Sequence, residues 1–277
     1  MQNNRLTDTK IKKYNENGYL SPINILSSYE VIQLREELNN IEKKWPNQIN
    51  GLNRNNIHYF STLFSELAHN FKILNVVESF IGHNILVAGS VLFLKEPENK
   101  GFISWHQDGI YQGWKPYNSI TAWIAITDVN ESNGCMRMWP GSHKNKFKKH
   151  KDTFDKNNLL TRGQTIENVP LKETVPIILK AGQLSIHHPM TVHGSGPNLS
   201  KSRRIGFAIQ SYIGANVKQK NGNTYVQLGR GIDKYKYHKH ISKPTKFMDK
   251  NDLILRDKAN KELQKILYKD SKKIGKY

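Results

Sequence analysis

The run Ser119-Ile120-Thr121-Ala122-Trp123-Ile124-Ala125-Ile126-Thr127 alternates between two chemistries. In an extended strand Ile120, Ala122, Ile124 and Ile126 fall on one face, and Thr121, Trp123 and Ala125 on the other. The aliphatic face suits a packed core. The mixed face suits a cavity wall, although burial statistics would also accept Trp123 as plain core. Asn133-Gly134 reads as a hairpin turn into a second strand, Cys135-Met136-Arg137-Met138-Trp139, ended by Pro140-Gly141-Ser142. A third segment, from Arg203 to Tyr212, sets Ile205, Phe207 and Ile209 against Arg204, Gly206, Ala208 and Gln210. An arginine inside such a strand is expensive to bury unless it meets an anion, and its planar fork matches a carboxylate. A solvated edge strand is the bland alternative for Arg204.

Upstream stands Trp105-His106-Gln107-Asp108-Gly109. Residues two apart on a strand share a face, so His106 and Asp108 can reach one metal while Gln107 points away. With a third ligand from elsewhere, two imidazoles and a carboxylate form the set of a non-haem Fe(II) oxygenase, three ligands on one face and the other face open. The tripeptide alone is weak, because His150-Lys151-Asp152 repeats it within a Lys-rich stretch that reads as a solvated charge run. Downstream, His193-Gly194-Ser195-Gly196-Pro197-Asn198 precedes Arg204 by eleven residues.

The segments WHQDG, TAWIAITDVNESNGCMRMWPGSH, HGSGPN and the RRIGF strand, in type and order from about Val87 to Tyr212, resemble the phytanoyl-CoA dioxygenase family of Fe(II)- and 2-oxoglutarate-dependent oxygenases. Residues Thr9 to Leu38, with the Asn17-Gly18-Tyr19-Leu20 turn, are similar to the family's opening. The resemblance implies a mainly β fold with flanking helices, a double-stranded β-helix or jelly roll. It implies iron held by His106, Asp108 and His193, and Arg204 paired with the distal carboxylate of 2-oxoglutarate. Ser195 and Trp123 match positions against that co-substrate, with Thr121 a neighbour. The carboxylate at 108 favours hydroxylation, using O2, over halogenation. His187 and His188 compete for the third ligand position but lack both the Gly-Ser-Gly-Pro-Asn sequel and the spacing to Arg204, so they are expected in the wall of the site.

A length of 277 residues fits one domain: a helical N-terminal part (1–84), a jelly-roll core (85–215) with a polar insertion (144–172), and a basic C-terminal extension (216–277). Ser27 to Glu30 forms a capping box ahead of Val31, Leu34, Leu38 and Ile41, an amphipathic helix expected on the sheet's outside. Asn70 to Ile81, stopped by Gly82, reads as another, with Phe71, Leu74, Val77 and Ile81 inward. Strands are expected to begin between Ile85 and Leu94. A final helix spans about Asp249 to Lys269, folded back or used in a homodimer contact. The insertion is expected to close the site, with Arg162 and Gln164 gripping an anionic substrate. Tyr111, Trp114 and Lys115 form the other expected wall.

Lys and Arg number 42 against 23 acidic residues, a formal charge of +19. The excess is spread along the chain, so a small-molecule substrate is expected rather than nucleic acid. Lys234 to His240 interleaves bases with aromatics and keeps a nucleic-acid or acidic-lipid contact in view. His238 and His240 share strand parity and would suit an adventitious metal. One cysteine, no apolar leader and no apolar run of membrane-spanning length point to a cytoplasmic protein. The expected substrate is a small anionic metabolite such as a phosphonate, with an acyl-CoA or carrier-bound acyl group second. A non-catalytic sensor and a nucleic-acid-associated oxygenase are the rivals.

Overall fold

Two β-sheets packed face to face carry the molecule, because the strands each bury one apolar and one mixed face. The computed structural model describes residues 6–145, 147–271 and 273–274. The first five residues, read above for a leader, lie outside them. The chain runs α1 (Asp8–Asn17), β1 (Tyr19–Asn24), α2 (Ser28–Lys44), α3 (Thr62–Ala68), α4 (Phe71–Ile81), β2 (Ile85–Val87), β3 (Val91–Lys95) and β4 (Ile103–His106). Next come α5 (Gly109–Gln112), β5 (Trp114–Lys115), β6 (Ser119–Ala125), β7 (Met136–Met138), β8 (Val175–Pro176), β9 (Gln183–His187) and β10 (His193–Ser195). Last are β11 (Arg204–Gly214), β12 (Lys218–Gln219), β13 (Tyr225–Arg230), β14 (Lys239–His240) and α6 (Lys250–Leu267).

The larger sheet has the order β1-β9-β6-β11-β2-β13-β14, with β3 also on β11; the smaller is β4-β10-β7-β8, and β5 pairs with β12. Pairings are antiparallel apart from β13 with β14. This is the expected jelly roll with flanking helices. The parity of β6 and β11 decides what meets what. Ile120, Ala122, Ile124, Ile205, Phe207 and Ile209 pack outward against α2, α3 and α4 in the main apolar core. Each fully buried Leu, Ile or Phe there contributes about 1.5–3 kcal/mol. On the inner face, Trp123, Ala125 and Ala208 meet Met136 and Met138 of the smaller sheet.

The capping box forms as read, Ser27 taking the Glu30 amide and Glu30 returning to the Ser27 amide. α4 is capped by Asn70 and ends at Gly82, but Phe71 is 59% exposed and does not face inward. The Asn133-Gly134 turn joins no hairpin: β6 and β7 lie in different sheets, and the turn carries the chain between them. Strands begin within Ile85 to Leu94 as read, in two short pieces, β2 and β3, with residues 88–90 between them. Within the C-terminal segment, β13 joins the larger sheet beside β2, and α6 folds back onto the domain.

Candidate active site

In the smaller sheet β4 and β10 lie side by side, with His106 opposite His193. Each ring turns its Nδ1 to the carbonyl two residues earlier, Ser104 O at 2.8 Å and Thr191 O at 3.0 Å. A carbonyl only accepts, so Nδ1 carries the hydrogen and the Nε2 lone pair is free to bind a metal. Both Nε2 atoms face Asp108 Oδ1, at 3.2 and 3.8 Å. One ligand atom from each of the three residues lies within 4.8 Å of the others. Donors about 2.1 Å from one ion, at right angles, sit about 3.0 Å apart, so the spacing fits a metal on one face. Neutral imidazole with carboxylate is the donor chemistry of Fe(II). Burial pushes the Asp108 carboxyl up, but the imidazoles of His193, His106 and His187 outweigh it and hold the group well below the usual carboxylate range. Burial and the neighbouring imidazoles of His106 and His187 push His193 well below an ordinary histidine, so it is available as a neutral ligand.

The second oxygen of Asp108 has its own partners. Oδ2 accepts from Thr121 Oγ1 at 2.8 Å and faces His187 Nε2 at 3.2 Å. β6 and β9 pair Thr121 with His187, so one rung of the ladder places both.

Along the inner face from the triad lies Arg204, 1% exposed. Nη1 donates to Gly134 O at 2.9 Å, while Nε and Nη2 have no partner and the guanidinium stands over the Trp123 ring, 5.3 Å from its centroid. Burial holds its pKa down to about 10. A buried fork with two unused donors is a built seat for a carboxylate. Gly206 lets Trp123 come this close, since a Cβ there would stand 1.9 Å from the indole. Arg204, Trp123, Ser195, Thr121, His187 and the triad line one small cavity.

Lys95 escaped the sequence reading. It pairs with Arg204 across β3 and β11, is 1% exposed, and donates to Ser195 Oγ and Gly196 O. Burial, then the Arg204 charge, lower it to about 6. The alternation Val91, Phe93, Lys95 against Leu92 and Leu94 would have placed it on the cavity face.

A larger cavity of about 390 Å³ opens on His106 and Asp108. Tyr111, Trp114 and Gln164 line it, as does one face of α6 through Ala259, Leu263, Ile266 and Leu267. Arg162 is turned elsewhere. Its guanidinium pairs with Asp152 and donates to the carbonyls of Leu267 and Lys269 at the end of α6, and Tyr268 Oη donates to Thr161 O. The anion-gripping role read for Arg162 is therefore replaced by a tie between the insertion and α6. His188 also leaves the site, packing on His143 with Nδ1 taking the Met190 amide. Lys115 is exposed and lies over Tyr117. His238 bonds Val217 O and His240 bonds Asp233, so the two do not converge on a metal.

A jelly roll holding two histidines, an aspartate and a buried arginine between its sheets is the architecture of an Fe(II)- and 2-oxoglutarate-dependent non-haem oxygenase, and the chain is an enzyme of that class. The sequence profile of the phytanoyl-CoA dioxygenase (PhyH) family matches residues 14–206, and the chain belongs to that family. It is 28% identical over 220 residues to a probable alpha-ketoglutarate-dependent hypophosphite dioxygenase of Stutzerimonas stutzeri, covering 71% of this chain and 77% of that one. The peroxisomal phytanoyl-CoA dioxygenase of Homo sapiens is 28% identical over 233 residues, 74% of this chain and 68% of that one. Among solved structures, the non-heme monooxygenase ThoJ in its apo form superposes with a TM-score of 0.82 at 28% identity, covering 92% of this chain and 96% of that one. CytC3 with Fe(II) and alpha-ketoglutarate shares the fold, with a TM-score of 0.68 at 22% identity over 89% and 97% of the two chains. Among the described residues, no helix is long and apolar enough to cross a membrane.

Proposed function

We propose that His106, Asp108 and His193 hold the iron, that Arg204 holds the distal carboxylate of 2-oxoglutarate, and that the enzyme hydroxylates a C–H bond of an anionic organic metabolite, with release of succinate and CO2. The observation that carries this reading is the unsatisfied Arg204 fork in the cavity that also holds the triad. A buried cation with two idle donors is costly in the free protein and is offset by a bound carboxylate. Ser195 and Trp123 border the same space, and Thr121 orients Asp108. When bound, iron supplies the oxidant, generated from O2 as 2-oxoglutarate is oxidatively decarboxylated. The chain's part is to position and to exclude water: α6, residues 158–161 and Gln164 wall the larger cavity that opens on His106 and Asp108.

That cavity sets the scale of the substrate. About 390 Å³ lies in the range of roughly 300–1,000 Å³ typical of sites for drug-sized ligands. Its described lining carries two cations, Arg54 and Lys156, and no carboxylate apart from Asp108. Arg54 Nε has no partner. The leading class is thus a phosphonate or similar anion borne on an organic skeleton, with Tyr111 and Gln164 in the wall around it. The second reading, an acyl-CoA or carrier-bound acyl group, is favoured by the exposure of Lys156, which would suit phosphates at the mouth.

The test is anaerobic reconstitution with Fe(II) and 2-oxoglutarate, following the weak visible charge-transfer band of the chelate, then O2 with a panel of organophosphonates and acyl-CoAs while succinate is measured. A band with succinate stimulated by one class supports the reading and chooses between the classes. Folded protein without a band overturns the metal and co-substrate assignment and brings the sensor reading forward.

A further inference from the structure

His187 is a third imidazole against the metal ligands, and its side chain is 1% exposed. Its place is fixed by the backbone: β9 lies between β1 and β6, and His187 pairs with Tyr19 on one side and Thr121 on the other. Nε2 faces Asp108 Oδ2 at 3.2 Å, and Nδ1 has no partner. With Oδ2 as the acceptor of this contact the hydrogen sits on Nε2, and the Nδ1 lone pair is buried unpaired. A phenyl ring in the same place would carry no such desolvation cost, and the contact that offsets it is the one to Asp108.

Asp108 Oδ1 faces the Nε2 atoms of both His106 and His193, whereas Oδ2 is engaged by Thr121 and His187 from the opposite sheet. The carboxylate is divided between two tasks. We propose that His187 is a positioning residue which, with Thr121, withholds Asp108 Oδ2 from the metal and keeps the aspartate a one-oxygen ligand. This rests on the iron-site reading above. The consequence is a coordination count. Three protein donors leave three of six positions open, and a keto-acid chelate takes two. An aspartate binding through both oxygens would leave only those two and nothing beyond the co-substrate.

The experiment uses the whole chain, metal-free, and Co(II), whose visible d–d spectrum reports its donor set and geometry. His187→Phe removes the donor and keeps a ring of similar bulk; His187→Gln keeps an N–H donor at comparable reach. Partners behind metal ligands typically shift affinity by 10–100-fold, and with Thr121 still in place the expected loss for His187→Phe is about tenfold, with an altered d–d spectrum. His187→Gln is expected to retain affinity within about threefold and the wild-type spectrum. Thr121→Val in the wild-type background is expected to weaken binding in the same direction, and it reads the same clamp if His187→Phe does not fold. Wild-type affinity and spectrum in His187→Phe, or a Gln variant as impaired as the Phe variant, overturns the proposal while leaving the iron site intact. Wild-type protein that binds no Co(II) overturns the iron-site reading and the proposal together.

Discussion

Replacing Arg204 by Met is expected to make the free protein more stable and the co-substrate complex weaker. The guanidinium is buried, makes one described hydrogen bond, and has its pKa lowered by burial from 12.5 to about 10. Because the folded-state value lies below that of the unfolded chain, folding disfavours the charged form at every pH below about 10. At about 1.36 kcal/mol per pH unit, this amounts to about 3 kcal/mol. Methionine fills the volume of the stem but gives up the contact with the Trp123 face, worth about 1 kcal/mol, and the bond to Gly134 O, worth about the same. The net gain is about 1 kcal/mol, a rise of about 2 °C in Tm for a chain of this size. In the complex the sign reverses. Removing one partner of a buried, hydrogen-bonded charge pair costs about 2–5 kcal/mol, so affinity for 2-oxoglutarate should fall by at least about 30-fold. Scanning calorimetry of both proteins under argon, metal-free, with Fe(II), and with Fe(II) and 2-oxoglutarate, reads both effects: Fe(II) raises both Tm values, and 2-oxoglutarate then stabilises Arg204→Met by about 2 kcal/mol less than the wild type. A variant that is several degrees less stable without ligand would mean that Arg204 already has a full set of partners. A variant stabilised by 2-oxoglutarate as much as the wild type would refute its role as the carboxylate seat.

Three further outcomes follow from the same geometry. Gly206→Ala would put a Cβ 1.9 Å from the Trp123 indole, so the ring must move; a loss of about 1–3 kcal/mol in chemical denaturation together with weaker 2-oxoglutarate binding is expected, and unchanged affinity would show that Trp123 does not shape the seat. With Lys95 lowered to about 6 by burial and by Arg204, it is about nine-tenths neutral at pH 7, and a carboxylate that neutralises Arg204 should recharge it. Calorimetric titration in buffers of different ionisation enthalpy should therefore show uptake approaching one proton per 2-oxoglutarate at pH 7, vanishing below about pH 5 and absent in Lys95→Met; no uptake at pH 7 in the wild type refutes the coupling. Arg162→Ala cuts the tie to Asp152 and to the last carbonyls of α6, so amide exchange over 250–267 should accelerate about tenfold, and wild-type protection there would show that α6 is held by other contacts.

Two of the three candidate metal ligands were legible because their spacing is local, and the third, His193, came with the resemblance to the family. His106 and Asp108 are two residues apart, the alternation of β6 and β11 named Trp123, Thr121 and Arg204 as one face, and the Gly-Ser-Gly-Pro-Asn sequel marked the segment carrying His193. Period-two patterning also fixed which faces of those strands meet the helices, since a slip of one residue would turn every side chain to the wrong side. Lys95 was within reach of the same parity, but a lysine closing an apolar run reads first as a strand end at the surface. What no local pattern carried is which oxygen of Asp108 each imidazole meets, where α6 lies, and what Arg162 holds. The clamp on Asp108 needs β9 beside β6, the cavity roof needs the last helix packed on α5 and on residues 51–59, more than a hundred residues earlier, and Arg162 finds two of its partners 105 and 107 residues away. The sequence by itself determined the donor chemistry and the face each donor occupies, because strand geometry is periodic over a few residues. The tertiary structure alone decided the size of the cavity and the partners of its buried polar groups, because those depend on contacts between segments whose separation along the chain has no period to read.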